Sequence, residues 1–393
     1  MKIKSFNQAK LAHKIVLVRV DFNVPVRAGK IKDDFKIVAN LEFLKYLIKT
    51  QAKIVLVTHL GEPKLNAKGN VIGKDAFSTA PLARHLSKLI GKKVLWFKEP
   101  IGSNKLKGKI DDLKSGQIAV LENIRFYSGE IANESSFAKQ LAKIADVYIN
   151  NAFAVSHRAH ASVSAVKKFL PSFAGPLLAE EVNNLNKVLK PVKPMVAVLG
   201  GAKIETKINL IKNLSKRANF ILVGGALMNN FLVASGHKVG KSLVSKEGVK
   251  IAKKLKSKKI IIPDDVVVKL KNGKIAWRHV KDIKKDETIV DIGPESMKLF
   301  GAYIKRAKTL MWNGPMGIFE EEASRWGTLF VARAVASKSS GKAFGVVGGG
   351  ETIEALKLTQ MEKDIDWIST GGGASLTYLA GETMPGLVGL VKK

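Results

Sequence analysis

The chain has 393 residues, with 66 Lys and Arg against 33 Asp and Glu, 34 glycines and no cysteine. Its length exceeds the roughly 250–300 residues at which a single hydrophobic core stops growing, so two domains are expected. The lack of cysteine excludes disulfides, thiolate metal sites and cysteine nucleophiles, and it fits a reducing compartment. No segment approaches the roughly 20 apolar residues of a membrane-spanning helix, and we expect a cytoplasmic protein with no membrane partner.

The formal net charge of +33 predicts attraction to phosphate groups, whether on nucleic acids, lipids or metabolites. The lysines are nevertheless spread along the whole chain, without the block of interleaved basic and aromatic residues that marks a nucleic-acid module. We therefore interpret the charge as a property of the surface and expect no specific nucleic-acid partner.

The first half of the chain contains five short apolar segments separated by amphipathic stretches. The apolar segments occupy residues 14–22, 52–60, 93–97, 118–126 and 146–153. Near-continuous apolar strands that alternate with helical patterns are typical of a parallel sheet covered by helices on both faces. The pattern predicts a doubly wound N-terminal domain over residues 1–172.

The second half repeats this organisation. Its apolar segments occupy residues 195–200, 219–225, 259–268, 309–315, 343–350 and 366–373. They predict a second doubly wound, Rossmann-like domain over residues 191–376. Between the halves, GPLLAEEVNNLNKVLK at 175–190 predicts a long helix that ends before Pro191, within a connecting segment over 173–190. The expected fold class is α/β, with two parallel-sheet domains joined by a long helix and a cleft between them.

The predicted strands of the second half end in glycine-rich corners. These corners are LGGAK at 199–203, VGGA at 223–226, NGPMG at 313–317, VGGGET at 347–352 and STGGGAS at 369–375. Glycine lets backbone N–H groups approach an anion closely, and the N-terminus of a following helix adds partial positive charge. Five such corners on one sheet predict a site for a polyphosphate.

The predicted strands of the first half end instead in polar and charged side chains. These are Arg19, Asp21, Asn23, His59, Arg125, His157 and Arg158. Guanidinium groups bind carboxylates and phosphates through paired hydrogen bonds. The pattern therefore predicts a basic pocket for a small, multiply charged anion.

The segment NNAFAVSHRAHAS at 150–162 places Arg158 between His157 and His160. Taken alone, these histidines could ligate a metal, transfer a proton or help to hold an anion. A zinc site is disfavoured because the sequence offers no third ligand nearby and no HExxH motif.

The segment GHKVGKS at 236–242 is similar to a P-loop. Only three residues separate its glycines, however, whereas a P-loop requires four. We interpret the segment as a surface turn.

Nine segments, in order along the chain, carry a family resemblance. They are VRVDFNVP, THLGEP, LENIRF, NNAFAVSHRAHAS, GGAKIETKI, VDIGPES, WNGPMGIFE, GGGET and STGGGASL. In these segments the sequence resembles the phosphoglycerate kinases, and the match runs from about Val16 to Leu387. The resemblance implies a monomer that transfers a phosphoryl group reversibly between 1,3-bisphosphoglycerate and ADP, giving 3-phosphoglycerate and ATP, with Mg²⁺ beside the nucleotide.

The resemblance also implies a role for individual residues. The implied substrate-binding positions are Arg19, Asp21, Asn23, Lys36, His59, Arg125, His157 and Arg158. The implied nucleotide-binding positions are Gly201, Ala202, Lys203, Gly224, Gly225, Leu243, Asn313, Pro315, Glu320, Gly349, Gly350, Glu351 and Thr352. Among these, Glu320 matches the ribose-binding carboxylate and Glu351 the Mg²⁺ ligand.

The implied catalytic positions are Lys36, Lys203, Lys207, Gly350 and Gly372. Residues 377–393 are expected to pack back on the N-terminal domain. The cleft is expected to close, because the two substrates are held on separate domains and water would otherwise accept the phosphoryl group.

Four positions depart from the motifs of the family. Lys36 and Glu62 stand where the family has arginines, and Glu351 and Asn151 stand where it has aspartates. Lysine keeps the charge of arginine but lacks its planar fork, so a slower enzyme is expected. Glu62 is expected to point away from an anionic ligand or to pair with a lysine such as Lys64.

The alternative is a non-catalytic or slow relative whose basic surface binds a polyanion. Lys203, Lys207, Asn313 and Glu320 are all retained, together with every glycine corner. Their retention favours the enzyme.

Overall fold

A computed structural model describes residues 2–66, 71–202, 204–255 and 257–392. The chain divides into two compact units, Met1–Val182 with Met384–Lys393, and Asn183–Thr383. Among the residues described, none of the helices combines the length and the apolar character needed to span a bilayer.

The first unit is built on a six-stranded parallel sheet with the order β6-β7-β5-β2-β8-β9. Its strands are β1 (Lys2–Ile3), β2 (Ile15–Arg19), β3 (Val26–Arg27), β4 (Lys30–Ile31), β5 (Lys53–Val57), β6 (Val94–Phe97), β7 (Ile118–Leu121), β8 (Val147–Asn150), β9 (Ser172–Ala174) and β19 (Val391–Lys392). Its helices are α1 (Phe35–Val38), α2 (Leu41–Lys49), α3 (Ala80–Ile90), α4 (Asn104–Asp111), α5 (Ser128–Ile131), α6 (Ser135–Ala142) and the first part of α7 (Pro176–Leu189).

Successive side chains of each strand in this sheet enter different hydrophobic cores, because side chains alternate between the two faces of a sheet. Val16 and Val18 join a core formed with α2 and α3, whereas Leu17 between them joins a core formed with α4 and α6. Both faces of the sheet are thus covered by helices, as the near-continuous apolar strands predicted.

The second unit contains a six-stranded parallel sheet with the order β12-β11-β10-β16-β17-β18 and a three-stranded antiparallel sheet with the order β14-β13-β15. Its strands are β10 (Met195–Leu199), β11 (Phe220–Val223), β12 (Ile260–Ile261), β13 (Asp265–Lys269), β14 (Ile275–His279), β15 (Thr288–Ile292), β16 (Thr309–Asn313), β17 (Phe344–Gly348) and β18 (Trp367–Ser369). Its helices are the rest of α7, α8 (Ile208–Ser215), α9 (Gly225–Ala234), α10 (Lys246–Lys254), α11 (Pro294–Arg306), α12 (Trp326–Ser339), α13 (Gly350–Lys357) and α14 (Gly373–Leu379). The expectation of two α/β units, each with a parallel sheet, is confirmed.

One apolar segment was assigned wrongly from the sequence. Residues 259–268 do not form a single strand of the parallel sheet, because the chain leaves that sheet after β12 and enters the antiparallel sheet as β13. Pro263 lies at the break, and proline has no N–H with which to continue a ladder of hydrogen bonds.

Each parallel sheet has a switch point, where the connections that leave two neighbouring strands run in opposite directions. In the first unit it lies between β2 and β8, and in the second between β10 and β16. Ligands of doubly wound sheets bind at such switch points, beyond the carboxyl ends of the strands.

Residues 384–393 return to the first unit, whereas residues 377–383 remain in the second. The returning segment pairs β19 with β1 and receives two hydrogen bonds from Lys167 Nζ, to the carbonyls of Pro385 at 2.7 Å and Val388 at 2.8 Å. Gly386 donates its N–H to the Ser156 carbonyl at 2.8 Å.

The glycine corners of the second unit pack backbone against backbone. Gly225 has φ +59°, and a Cβ there would lie 2.5 Å from the Gly201 nitrogen. Gly314 has φ +96°, and a Cβ there would lie 2.4 Å from the carbonyl oxygen of Gly200. These glycines are therefore required by close approach as well as by backbone conformation.

We expect Gly225→Ala to destabilise the protein more than Gly273→Ala does. Gly273 also has a positive φ, +81°, but a Cβ there would meet nothing within 4 Å, so it isolates the cost of backbone strain. That strain costs about 1–3 kcal/mol, and overpacking against backbone at Gly225 adds a similar amount. Urea unfolding of both variants measures the difference, and equal losses would contradict the close packing.

Candidate functional site

The basic residues predicted in the first unit lie at the carboxyl edge of its sheet. Arg19 ends β2, His59 follows β5, and Arg125 lies in a short 3₁₀ helix after β7. His157 and Arg158 follow β8, on the other side of the switch point from Arg19. Because all these strands are parallel, their ends meet at one edge.

Arg19 is buried at the base of this group, with 1% of its surface exposed. Its Nε donates to Ser162 Oγ at 3.0 Å, and one terminal nitrogen lies 3.3 Å from His59 Nδ1. Behind the serine lies Glu130, which is fully buried and accepts the Ser162 hydroxyl at 2.6 Å and its backbone N–H at 2.7 Å. Ser162 thus connects a buried guanidinium to a buried carboxyl group.

The sequence did not reveal Glu130 or Ser162 as part of the site. Burial raises the pKa of the Glu130 carboxyl, whereas the charge of Arg19 and the hydrogen bonds from Ser162 lower it. The segment SGEI around Glu130 carries no local pattern that distinguishes it from a solvated helix end.

The histidines of the group are held neutral near pH 7. Burial, reinforced by Arg19 and other cations, holds the pKa of His59 well below its usual range. Burial and the nearby arginines lower the pKa of His160 to about 4, and burial and Arg158 lower that of His157. The positive charge of the pocket therefore comes from arginine and lysine.

Lys36 and Arg125 have acidic neighbours. Lys36 Nζ forms an ion pair with Asp21 at 2.7 Å. Arg125 donates to the Gly61 carbonyl at 2.8 Å, and the carboxylate of Glu62 lies 3.7 Å from the same nitrogen. Glu62 is thus paired with an arginine of the pocket rather than with a lysine, and its side chain is 79% exposed.

Two further predicted residues lie near this group of basic side chains. Asn23 Oδ1 accepts the Gly61 N–H at 2.8 Å, which fixes the loop that carries His59. Arg158 is exposed, so its guanidinium is accessible to solvent and to a ligand.

The second unit contains a cavity of about 310 Å³ beside its glycine corners. It is lined by Gly201, Ala202, Gly225, Ala226, Met228, Asn229, Leu243, Thr288, Ile289, Val290, Pro315, Met316, Gly317, Ile318, Glu320 and Glu351. Seven of the predicted nucleotide-binding residues line it, namely Gly201, Ala202, Gly225, Leu243, Pro315, Glu320 and Glu351. The apolar wall from Met228, Val290 and Ile318 was not predicted: Met228 lies outside the nine segments, and Val290 and Ile318 lie within two of them without having been assigned a role.

The remaining predicted residues of the second unit lie outside the lining of this cavity or outside the described residues. Gly224, Asn313, Gly349, Gly350, Thr352 and Gly372 do not line it. Gly349 and Gly372 are the residues immediately before helices α13 and α14, with φ of +102° and +51°. Lys203 lies outside the residues that the structure describes.

Lys207 is buried next to the switch point of the second sheet. Its ammonium donates to the carbonyls of Gly200 at 2.5 Å and Asn313 at 3.1 Å, and the described residues supply no acceptor for the third of its hydrogens. Asn313 in turn donates its side-chain amide to the Gly348 carbonyl at 2.6 Å. Burial lowers the pKa of Lys207 to about 8, although the carboxylate of Glu351 opposes this shift.

Comparison with known proteins gives one consistent family. A family model for phosphoglycerate kinase matches residues 6–382. The phosphoglycerate kinase of Dictyoglomus turgidum is 41% identical, with 98% of this chain and 97% of the relative covered. That of Wolbachia pipientis wMel is 38% identical over the whole of both chains.

Solved structures give the same result. The phosphoglycerate kinase of Coxiella burnetii superposes with a TM-score of 0.89 at 35% identity, covering 99% of each chain. That of Pyrococcus horikoshii OT3 superposes with a TM-score of 0.82 at 31% identity, covering 98% of each chain.

Proposed function

This chain belongs to the phosphoglycerate kinase family, whose members are glycolytic kinases that transfer phosphate to a carboxyl group, and on that premise we propose how its residues divide the reaction. The first unit binds 3-phosphoglycerate or 1,3-bisphosphoglycerate, and the second binds ADP or ATP. The observation that carries the proposal is what lies at the switch point of each sheet, namely guanidinium groups in one unit and glycine-rich backbone in the other. Both kinds of group are suited to anions.

In the proposed glycerate site, Arg19, Arg125 and Arg158 supply the charge that binds carboxylate and phosphate oxygens. Neutral His59 and His157 line the same pocket, where each imidazole can donate one hydrogen bond without adding charge. Asp21 and Asn23 support Lys36 and the loop at Gly61. This division of roles agrees with the depth of the residues, since Arg19 is buried and Arg158 is exposed.

In the proposed nucleotide site, the base occupies the cavity between Ala202, Leu243 and Pro315, and Glu320 accepts the ribose hydroxyls. A volume of about 310 Å³ is at the lower end for a small-molecule site, and its walls are largely apolar, as expected for a base. The phosphates then lie toward Asn313, Gly349, Gly350 and Thr352.

The residues present fit a magnesium ion that is carried by the nucleotide. Mg²⁺ is usually held by one or two carboxylates together with substrate phosphates and water. Glu351 offers one exposed carboxylate at the cavity wall, and the described residues contain no group of three or more His, Asp or Glu that would hold an ion without a ligand. When bound there, Mg²⁺ would neutralise charge on the phosphate oxygens.

Transfer between a carboxylate and a nucleotide phosphate needs alignment and charge neutralisation rather than covalent catalysis. Lys207 donates two of its three N–H groups to described carbonyls and offers the third to the phosphoryl group, and Lys36 supplies a second cation from the first unit. The amides after Gly349 and Gly372 supply further donors.

We also propose that the protein acts as a monomer in a reducing compartment such as the cytoplasm, in agreement with its lack of cysteine.

We expect the protein to turn over 3-phosphoglycerate and ATP with Mg²⁺ in an assay coupled to consumption of 1,3-bisphosphoglycerate. Omission of 3-phosphoglycerate and chelation of Mg²⁺ are the controls. Absence of turnover, together with salt-sensitive binding of nucleic acid, would favour the polyanion-binding alternative.

We expect Lys36→Arg to raise kcat several-fold, because arginine can bind two oxygens of a phosphoryl group with parallel hydrogen bonds and lysine cannot. Lys45→Arg is the matched control, since Lys45 is exposed on α2 and paired with Glu42. An unchanged kcat in Lys36→Arg would contradict the role of this side chain in transfer.

We expect kcat/KM for the nucleotide to fall as pH rises through about 8. The folded-state pKa of Lys207 is lowered to about 8, so its ammonium is charged below that pH and neutral above it. Lys207→Arg stays charged throughout this range, so a variant that remains active should lose the alkaline decrease. A wild-type profile that is flat to pH 9 would contradict the involvement of the Lys207 charge.

A further inference from the structure

Two of the four departures from the family's motifs, Lys36 and Asn151, are connected in this fold through a third buried residue, Asn40. Asn40 and Asn151 are 2% and 3% exposed. Asn151 Nδ2 donates to Asn40 Oδ1 at 2.7 Å, and Asn40 Nδ2 donates to the Lys36 carbonyl at 2.8 Å. At the other end, Asn151 Oδ1 accepts the N–H of Leu177 at 2.9 Å.

The direction of this chain of hydrogen bonds is fixed by its ends. The Leu177 N–H can only donate and the Lys36 carbonyl can only accept, so both amides between them have a single satisfactory orientation. Because both asparagine side chains are buried, reversing either amide would place two donors or two acceptors face to face with little water to compensate.

This series of hydrogen bonds joins three elements of the first unit. Leu177 lies in the first turn of α7, Asn151 follows β8, and Asn40 immediately precedes α2. The backbone N–H of Asn151 also donates to the Arg19 carbonyl at 2.9 Å, which fixes Asn151 against the end of β2. Lys36 lies in α1, a helix of only four residues, so its backbone depends on contacts with neighbouring elements.

We propose that Asn40 and Asn151 are positioning residues that orient Lys36 for phosphoryl transfer, by anchoring its backbone to the start of α7. The inference rests on the proposed function, in which Lys36 supplies charge to the group in transfer. It also predicts that the side chain at position 151 must be an amide. A carboxylate there could accept from Leu177 but has no hydrogen to donate to Asn40, which would have to turn its amide and lose the Lys36 carbonyl.

We call the hydrogen bonds that run from Leu177 through the two asparagines to Lys36 the relay, and a double-mutant cycle tests it. The proteins are wild type, Asn151→Asp, Lys36→Met and the double variant, compared in single-turnover measurements with enzyme in excess so that slow rates are resolved. We expect Asn151→Asp to lower the rate of transfer about fivefold in the presence of Lys36, with KM for ADP, measured separately at steady state, changed less than twofold. In the Lys36→Met background the same substitution should change the rate less than twofold.

Asn219→Asp is the matched control in the second unit, where Asn219 Oδ1 accepts the Met195 N–H at 2.9 Å and an aspartate could still accept it. It should leave the rate unchanged in both backgrounds. If Asn151→Asp does not fold by circular dichroism, Asn40→Ala replaces it in the cycle, since it removes the donor to the Lys36 carbonyl without adding a charge.

The outcomes separate this inference from the proposed function. An active wild type in which the substitution at 151 or 40 has the same effect with and without Lys36 would overturn the relay alone. A wild type without turnover would overturn the proposed function and the relay with it.

Discussion

The geometry of the first unit depends on a buried positive charge at the end of its central strand. A guanidinium group in a protein interior is tolerated only when its hydrogen bonds and its charge are both satisfied. Ser162 and Glu130 do this for Arg19, the first by accepting a hydrogen bond and the second by placing a carboxyl group behind the serine. The fixed charge then acts on its surroundings, because it helps to keep His59 and His160 neutral. The result is a cluster of basic side chains in which Arg19 is buried and Arg158 is exposed.

The second unit differs from the first in how the proposed anion-binding site is built. Its switch point is formed by backbone in close contact, with the Gly200 N–H donating to the Asn313 carbonyl at 3.0 Å. Lys207 is buried, and within the described part of the chain it forms no close ion pair; two carbonyl oxygens take the place of a carboxylate partner. Carbonyl dipoles compensate a charge less fully than an acid does, which agrees with the lowered pKa of this lysine.

Much of the fold was predictable because its signals are local. Apolar runs indicated every strand of the second parallel sheet and all but β9 of the first, and glycine at the strand ends indicated the corners. The antiparallel sheet was missed because residues 259–268 read as one apolar run, and only the proline within it marked the break. The site was predictable where residues follow strands directly, as Arg19 does. Glu130 and Asn40 were not predictable, because each meets its partner across a separation of 32 and 111 residues that no local pattern encodes.

The return of residues 384–393 to the first unit has a consequence for biosynthesis. On the ribosome, residues 1–182 emerge first, yet the strand that pairs with β1 and the glycine that packs against Ser156 are made only after the whole second unit. Domains generally fold as they are synthesised. In the first unit, however, the Lys167 ammonium and β1 lack their final partners until residues 384–393 have been made. The nascent first unit is therefore completed last, and the segment that completes it follows directly on the second.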